Sequence, residues 1–381
     1  MEKNSLMRFR GLEIAMDSIR MEGQLLPANY DMSKLPGGRL EYFKKYGFKV
    51  PAFFPYIYKQ YNGIESDKYI PASLYFYYIN PYLTNMNLSM AYVDKNMYFK
   101  HFPHVAQPVT IIHNMCGRFF TPSGGDIREI SEDDAVALLR SKSQMVIKPA
   151  IESGRGRDVN LISGAELSSE ALRDVLATYQ TDYIIQEIVV QHPDMLRLNP
   201  SSLNTCRLYT YRRVENGEYM LLGGAVRFGG AGEFRDNACK GGGFCKINLD
   251  GRIDDNVYAY RVFGHRSLKE IKGLVDVKVP NYGNVIDFCL GLHRTLPYMD
   301  LVGWDVAITE DGKPMLIELN QYPDCEFLQI FNGPMFGDYT DALLERVSRH
   351  KLASVEAYKR SFENGRPHYQ YNFEVGKAFS I

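Results

Sequence analysis

Apolar and polar positions alternate most regularly near the end of the chain, in Val302-Gly-Trp-Asp-Val-Ala-Ile308 and Met315-Leu-Ile-Glu-Leu-Asn320. A period of two predicts two strands, and Asp311-Gly312 between them predicts a tight hairpin turn. Val302, Trp304, Val306 and Ile308 share one face of the first strand, so Gly303, Asp305 and Ala307 share the other. In the second strand Met315, Ile317 and Leu319 fall together, and Leu316, Glu318 and Asn320 lie opposite them. Unbroken alternation therefore sets the Asp305 carboxylate across the hairpin from Glu318 and Asn320.

Upstream, the periods predict a mixed chain. Leu6 to Glu22 reads as a helix with Leu12, Ile14, Met16 and Ile19 on one side, before Pro27, Pro36-Gly-Gly38 and Pro51 interrupt the chain. Phe53 to Tyr82 is dense in aromatic residues. It fits the aromatic core of a small N-terminal domain better than a sugar-stacking or membrane-interface surface. Strands are expected at Pro108–Asn114, Gln144–Ala150, Asp158–Ile162 and Tyr183–Val190, with capped helices at Ser131–Ser141 and Ser168–Tyr179. Arg207–Val214, Tyr219–Phe228 and Gly243–Ile253 read as strands of a larger sheet. Asn281–Leu296 reads as a helix with Val285, Phe288, Cys289, Leu292 and Leu296 on one side, and a helix near Tyr339–His350 closes the fold. The tail from Arg360 onward has no assignable pattern.

Composition narrows the class. The 381 residues carry 44 basic and 45 acidic side chains, so no overall field calls for nucleic acid or an acidic membrane. Six scattered cysteines form no CxxC pair and no zinc spacing, which suits a reducing compartment. Neither a secretory leader nor a bilayer-length apolar run is visible, so a cytoplasmic, soluble protein is expected. GxxxxGK[ST], GxGxxG after a strand, HExxH and GxSxG are all absent.

What remains is an oxygen-rich cluster and a lysine. Asp305, Glu318 and Asn320 bear the hard oxygen donors that Mg²⁺ prefers. An exposed hairpin face with two solvated acids fits the same pattern, and both readings stand at this point. Lys148 ends an apolar strand and precedes a turn containing Gly154 and Gly156, whose backbone N–H groups could close over phosphate. His192 could serve as a base or as a cap. Cys206 and Cys239 read as packing.

Read together, Asp94-Lys95, Val146-Ile-Lys-Pro149 with its glycine turn, Ile184-Ile-Gln-Glu-Ile-Val189, Gly303-Trp-Asp305 and Glu318-Leu-Asn320 resemble, in order and rough spacing, the ATP-grasp superfamily. Gln191–Leu208, Arg227-Phe-Gly229, Asp236-Asn237 and Gly241-Gly-Gly243 are similar to its sugar-transfer-associated branch. The resemblance runs from Asp94 to Asn320. It implies an α/β chain with the ATP-grasp fold: a small N-terminal α/β domain (1–94), a small lobe with the glycine loop (95–185), a large lobe with the metal site (186–350) and a tail (351–381).

The resemblance also implies roles. Lys95 and Lys148, with Gly154, Gly156 and Arg207, would hold the nucleotide phosphates, and Gln186, Glu187, Ile188 and Val189 would form the hinge against adenine. Asp305, Glu318 and Asn320 would bind Mg²⁺ as one or two ions, with Mn²⁺ able to substitute. Arg207, Arg227 and Asn237 would act at the reacting groups, since guanidinium forks match carboxylate and phosphate oxygens. Some such ligases carry an Arg two residues before the first metal acid; here that position is Gly303, so another residue must supply it. The implied reaction joins a carboxylate and an amine, on a small molecule or carbohydrate linked to surface polysaccharide, through an acyl phosphate. A kinase on the same fold, or a non-catalytic ATP-binding subunit, is the alternative. A homodimer is compatible with all of these.

Overall fold

The computed structural model describes residues 25–151, 158–234 and 242–350. The expected helix over Leu6–Glu22 and the tail 351–381 lie outside them. Two all-antiparallel sheets dominate. The smaller has β1 (Thr110–Met115), β2 (Arg118–Ser123), β3 (Asp126–Ile130), β4 (Met145–Pro149), β5 (Asn160–Ile162) and β6 (Tyr183–Glu187), in the order β3-β2-β1-β6-β4-β5. The larger has β7 (Thr205–Arg212), β8 (Tyr219–Phe228), β9 (Gly243–Ile247), β10 (Ile253–Ala259), β11 (Val262–Ser267), β12 (Leu301–Ile308) and β13 (Pro314–Asn320). Its order is β11-β10-β9-β8-β7-β12-β13.

The capped helices form where the sequence places them. Ser131 caps Glu132–Arg140 in a reciprocal capping box with Asp134, and Ser168 caps Ser169–Tyr179. Both helices cover one face of the small sheet, around Ile112, Ile147, Ile185, Leu139 and Leu172.

The large sheet is covered on both faces, which is why its strands are apolar on both sides. On one face Leu208, Val226, Trp304 and Val306 pack on Val285, Cys289 and Leu292 of the helix Tyr282–His293. On the other, Tyr209, Tyr211, Ala225 and Leu301 meet the aromatic N-terminal segment and the helix Cys325–Asn332. The N-terminal aromatics are thus core, with Tyr58 stacked on Tyr69 at 4.7 Å. That core is shared with the large sheet rather than enclosed in a unit of its own.

Four local expectations change. Where a small N-terminal α/β unit is expected, the described residues before β1 form helices, such as Phe53–Asn62, with only isolated bridges. The stretch Gly243–Ile253 is two strands, because Asn248-Leu-Asp-Gly251 turns the chain with Gly251 at φ +83°. The β2–β3 hairpin is additional; its signal is Gly124-Gly125, both at positive φ, between strands whose faces are too exposed for clear alternation. Finally, β13 carries a bulge opposite Asp305/Val306, pairing Asp305 with Glu318 but Val306 with Leu316. Leu316 therefore enters the core with Leu319, instead of sharing a face with Glu318 and Asn320. No described helix is long and apolar enough to cross a membrane.

Gln329 ties the N-terminal segment to the large lobe. Its Oε1 accepts from Ile70 N at 2.7 Å and its Nε2 donates to Ile70 O at 2.8 Å, in a fully buried setting. Gln329→Ala strands both backbone groups, so we expect about 2–4 kcal/mol lower stability, read as a lower urea midpoint at constant m-value.

Candidate active site

Every described residue that the resemblance assigns to the site lines one cavity of about 730 Å³ between the two sheets. These are Lys95, Lys148, the hinge Gln186–Val189, Arg207, Arg227, Asp305, Glu318 and Asn320. Gly154, Gly156 and Asn237, with Cys239, lie outside the described residues.

The centre of the site is a row across three strands. Register places Arg207 of β7 beside Asp305 of β12, and Asp305 beside Glu318 of β13. Arg207 holds Asp305 through Nε–Oδ1 and through Nη2–Oδ2 at 2.9 Å. Arg227, from β8, adds Nη2–Oδ2 at 3.1 Å and is steadied by Thr205 Oγ1 at 3.0 Å. Burial alone would raise the Asp305 pKa, but the charges and hydrogen bonds of Arg207 and Arg227 hold it well below the usual carboxylate range. The Asp305 side chain is only 4% exposed, so its charge is accommodated by those two guanidinium groups.

On the other side of the row, Glu318 Oε1 meets Lys95 Nζ at 2.8 Å. Lys95 opens a short 3₁₀ turn capped by the Asp94 side chain, and its backbone N–H donates to Ala150 O at 3.0 Å, just past the end of β4. Lys148, on β4, is buried, and among the described residues its Nζ has no hydrogen-bond or ion-pair partner. Burial first, and then the charge of Lys95, lower its pKa to about 8 despite Glu318 and Asp305. Four cationic side chains thus converge on two carboxylates, an excess of positive charge that an anionic ligand would satisfy.

The hinge leaves β6 through Glu187, whose N–H donates to Val109 O at 2.8 Å and whose carboxylate pairs with Lys142 at 2.6 Å. Among the described residues, the backbone of Ile188 and Val189 has no hydrogen bond to another backbone group. Val146, Leu161, Ile188 and the bulge residue Ile317 line the cavity there. Leu161 and Ile188 are both 43% exposed, an apolar slot beside free backbone groups.

The metal donors fit in part. Glu318 and Asn320 open into the cavity with the hard oxygens Mg²⁺ takes, whereas Asp305 is committed to Arg207 and Arg227. Among the described residues no group of three or more His, Cys, Asp or Glu is arranged as a metal site. Glu318 and Asn320 are therefore the accessible pair, and Asp305 joins them only if the guanidinium groups turn to another anion.

Other expectations resolve structurally. His192 is a cap: its Nδ1 accepts from Asp194 N at 3.1 Å. Cys206 is buried packing, with burial pushing its thiol up to about 12. Much of the stretch Gln191–Leu208 is a buried polar network. Asn204 Nδ2 donates to Gln191 Oε1, Met195 O and Asn199 O, and Asn199 Nδ2 reaches Gly229 and Gly230. It sets the start of β7, and with it Thr205 and Arg207. Gly303 cannot be an Arg here, because a Cβ would sit 2.7 Å from Pro323 Cβ; Arg207 and Arg227 bring guanidinium groups from neighbouring strands instead. Tyr260, Asp324 and Phe327 also line the cavity, without any local pattern that marks them.

A comparison with protein families matches residues 84–342 to the sugar-transfer associated ATP-grasp family. No curated protein matches the chain. Among solved structures it is similar to the ATP-grasp ligase PsnB complexed with a phosphomimetic variant of minimal precursor, Mg and ADP, at 12% identity over 69% of this chain and 61% of that one, TM-score 0.39. Others are the D-cycloserine synthetase DcsG (16% identity, 70% and 73% covered, TM-score 0.39) and D-alanine–D-alanine ligase from Bacillus anthracis (14%, 70% and 72%, TM-score 0.40). The chain spans about three-fifths of the first of these.

Asp305→Ala leaves two buried guanidinium groups without their counter-charge. We expect about 3–5 kcal/mol lower stability by denaturant unfolding, whereas removing an exposed partner such as Asp311 should leave the unfolding midpoint almost unchanged.

Proposed function

The chain belongs to the sugar-transfer-associated ATP-grasp family and has the ATP-grasp fold, and on that premise we propose that it is a Mg-ATP-dependent carboxylate–amine ligase. The observation that carries this reading is the convergence of Lys95, Lys148, Arg207, Arg227, Glu318 and Asn320 on one cavity that ends in an apolar slot at the hinge. Cations for a triphosphate, hard oxygens for its metal and a slot with free backbone groups for a base suit one ligand.

Lys148 and Lys95 bind phosphate oxygens, Arg207 steadies the γ-phosphate, and Arg227 holds the acyl oxygens where charge develops. Ile188 and Val189 offer backbone groups to the base, with Ile317 beneath it. Glu318 and Asn320, joined by Asp305, are the oxygen donors for Mg²⁺, which when bound neutralises phosphate charge. A substrate carboxylate oxygen bonds to the γ-phosphorus as the bond to the ADP oxygen breaks. The amine nitrogen then bonds to the acyl carbon as phosphate leaves. Positioning and charge neutralisation are the chain's contribution to both steps. From the family's association with sugar transfer, the acid is taken to be a sugar acid or an amino acid.

Hydroxylamine trapping tests the reaction. With candidate acids and Mg-ATP, hydroxamate and ADP should accumulate together; ADP with a stable phosphoester would instead make the protein a kinase. Glu318→Gln and Lys148→Ala should each lower turnover by roughly 10²-fold, and full activity in either would remove that residue from the site.

Lys148 also predicts a pH dependence. Its ammonium, not its neutral amine, holds phosphate, and it deprotonates near pH 8 in the free protein. Mg-ADP affinity by calorimetry should therefore weaken above that pH, by up to roughly tenfold per unit. Lys148→Ala should bind more weakly at pH 7 and lose that dependence.

A further inference from the structure

Along β12 the cavity runs from the hinge, where Gln191 bridges to Thr309, past the cations at Asp305, to a corner beyond Tyr209 and Gly303. There Tyr260, Asp324 and Phe327 line it. Asp324 precedes the helix Cys325–Asn332 at its N-cap, where an aspartate ordinarily accepts a hydrogen bond from the first turn. It makes no such bond. Among the described residues its carboxylate accepts no hydrogen bond and pairs with no cation, while its backbone C=O is pinned by Tyr209 Oη at 2.9 Å.

We propose that Asp324, flanked by Tyr260 and Phe327, is the acceptor subsite and takes the nucleophile as a primary ammonium group. This rests on the ligase reading and names the chemistry of its second substrate. A half-buried carboxylate on the cavity wall favours a counter-charge, which a neutral hydroxyl does not supply. Arg207, the guanidinium whose charge Tyr260 and Asp324 feel, is already bound to Asp305 through two of its nitrogens. Around Asp324 the walls are aromatic: Tyr260 and Phe327 have centroids 6.4 Å apart, and Phe327 stacks on Tyr209 at 6.3 Å. Aromatic faces beside an acid stabilise an ammonium through the ring quadrupole as well as the ion pair. Burial, and then the charge of Asp324, keep the Tyr260 phenol protonated, so it remains a donor rather than a second anion. The cavity is therefore cationic where phosphate and acyl oxygens belong and anionic two strand residues further on, which orients an amine toward the acyl carbon. The subsite recognises the cation; the nitrogen sheds one proton to water before it bonds to carbon and a second as the amide forms and phosphate leaves.

Saturation-transfer NMR with n-propylammonium and n-propanol as probes, with and without Mg-AMPPNP, tests this. Wild type should saturate with propylammonium and bind propanol weaker by roughly tenfold or more. Asp324→Asn should lose propylammonium by a similar factor while its Mg-AMPPNP affinity stays within roughly twofold. Tyr260→Phe, which keeps the ring and the carboxylate, should retain ammonium selectivity. Equal binding of propylammonium by Asp324→Asn, equal binding of propanol, or no saturation of wild type would each overturn the subsite. Failure of wild type to bind Mg-AMPPNP sinks the ATP reading separately, and the probe titrations without nucleotide still decide the subsite.

Discussion

The charge on Asp305 is the constraint around which the large lobe is arranged. An ionised carboxylate in the middle of a seven-stranded sheet is tolerated because two guanidinium groups, from the adjacent strand and the one beyond it, close on its oxygens. Both must come from fixed positions, so the register of β7, β8 and β12 is as much an electrostatic requirement as a packing one. The buried amide network of Gln191, Asn199 and Asn204 serves the same end by fixing where β7 begins. Gln191 lines the cavity, while Asn199 and Asn204 act one step away from it.

One sheet face carries two environments. Tyr209, Tyr211 and Leu301 anchor the aromatic core, while Arg207 and Asp305 face the cavity two to four strand residues further along, with Arg227 beside them. The N-terminal segment supplies much of the apolar cover, and Gln329 fastens it there through Ile70. Stability of the aromatic half and polarity of the charged half are thus coupled through the same strands.

The bulge in β13 shows how a small irregularity serves chemistry. Without it Leu316 and Glu318 would face the same way, and one of them would be misplaced. The extra residue sends Leu316 into the core and leaves both Ile317 and Glu318 lining the cavity, one at the apolar slot and one at the charged row. Strict alternation cannot anticipate this, because an apolar run such as Met315-Leu-Ile carries no mark of which residue is extra.

The sequence by itself determined the capped helices, most strands of both sheets and the pairing of Asp305 with Glu318. These follow from short-range physics: side-chain period, caps and turn residues are all local. The resemblance of the ordered motifs named candidate residues for a nucleotide site, and those described line one cavity. Only the tertiary structure decided that Asp305 is neutralised by Arg207 and Arg227, that Lys95 meets Glu318, and that among the described residues Lys148 stands without a partner. It alone decided that the aromatic segment is helical and shares its core with the large sheet. It alone brought Tyr260, Asp324 and Phe327 into the cavity. The reason is physical: whether a charge is paired, buried or exposed depends on groups far apart in the chain, and no local pattern encodes the distance between them.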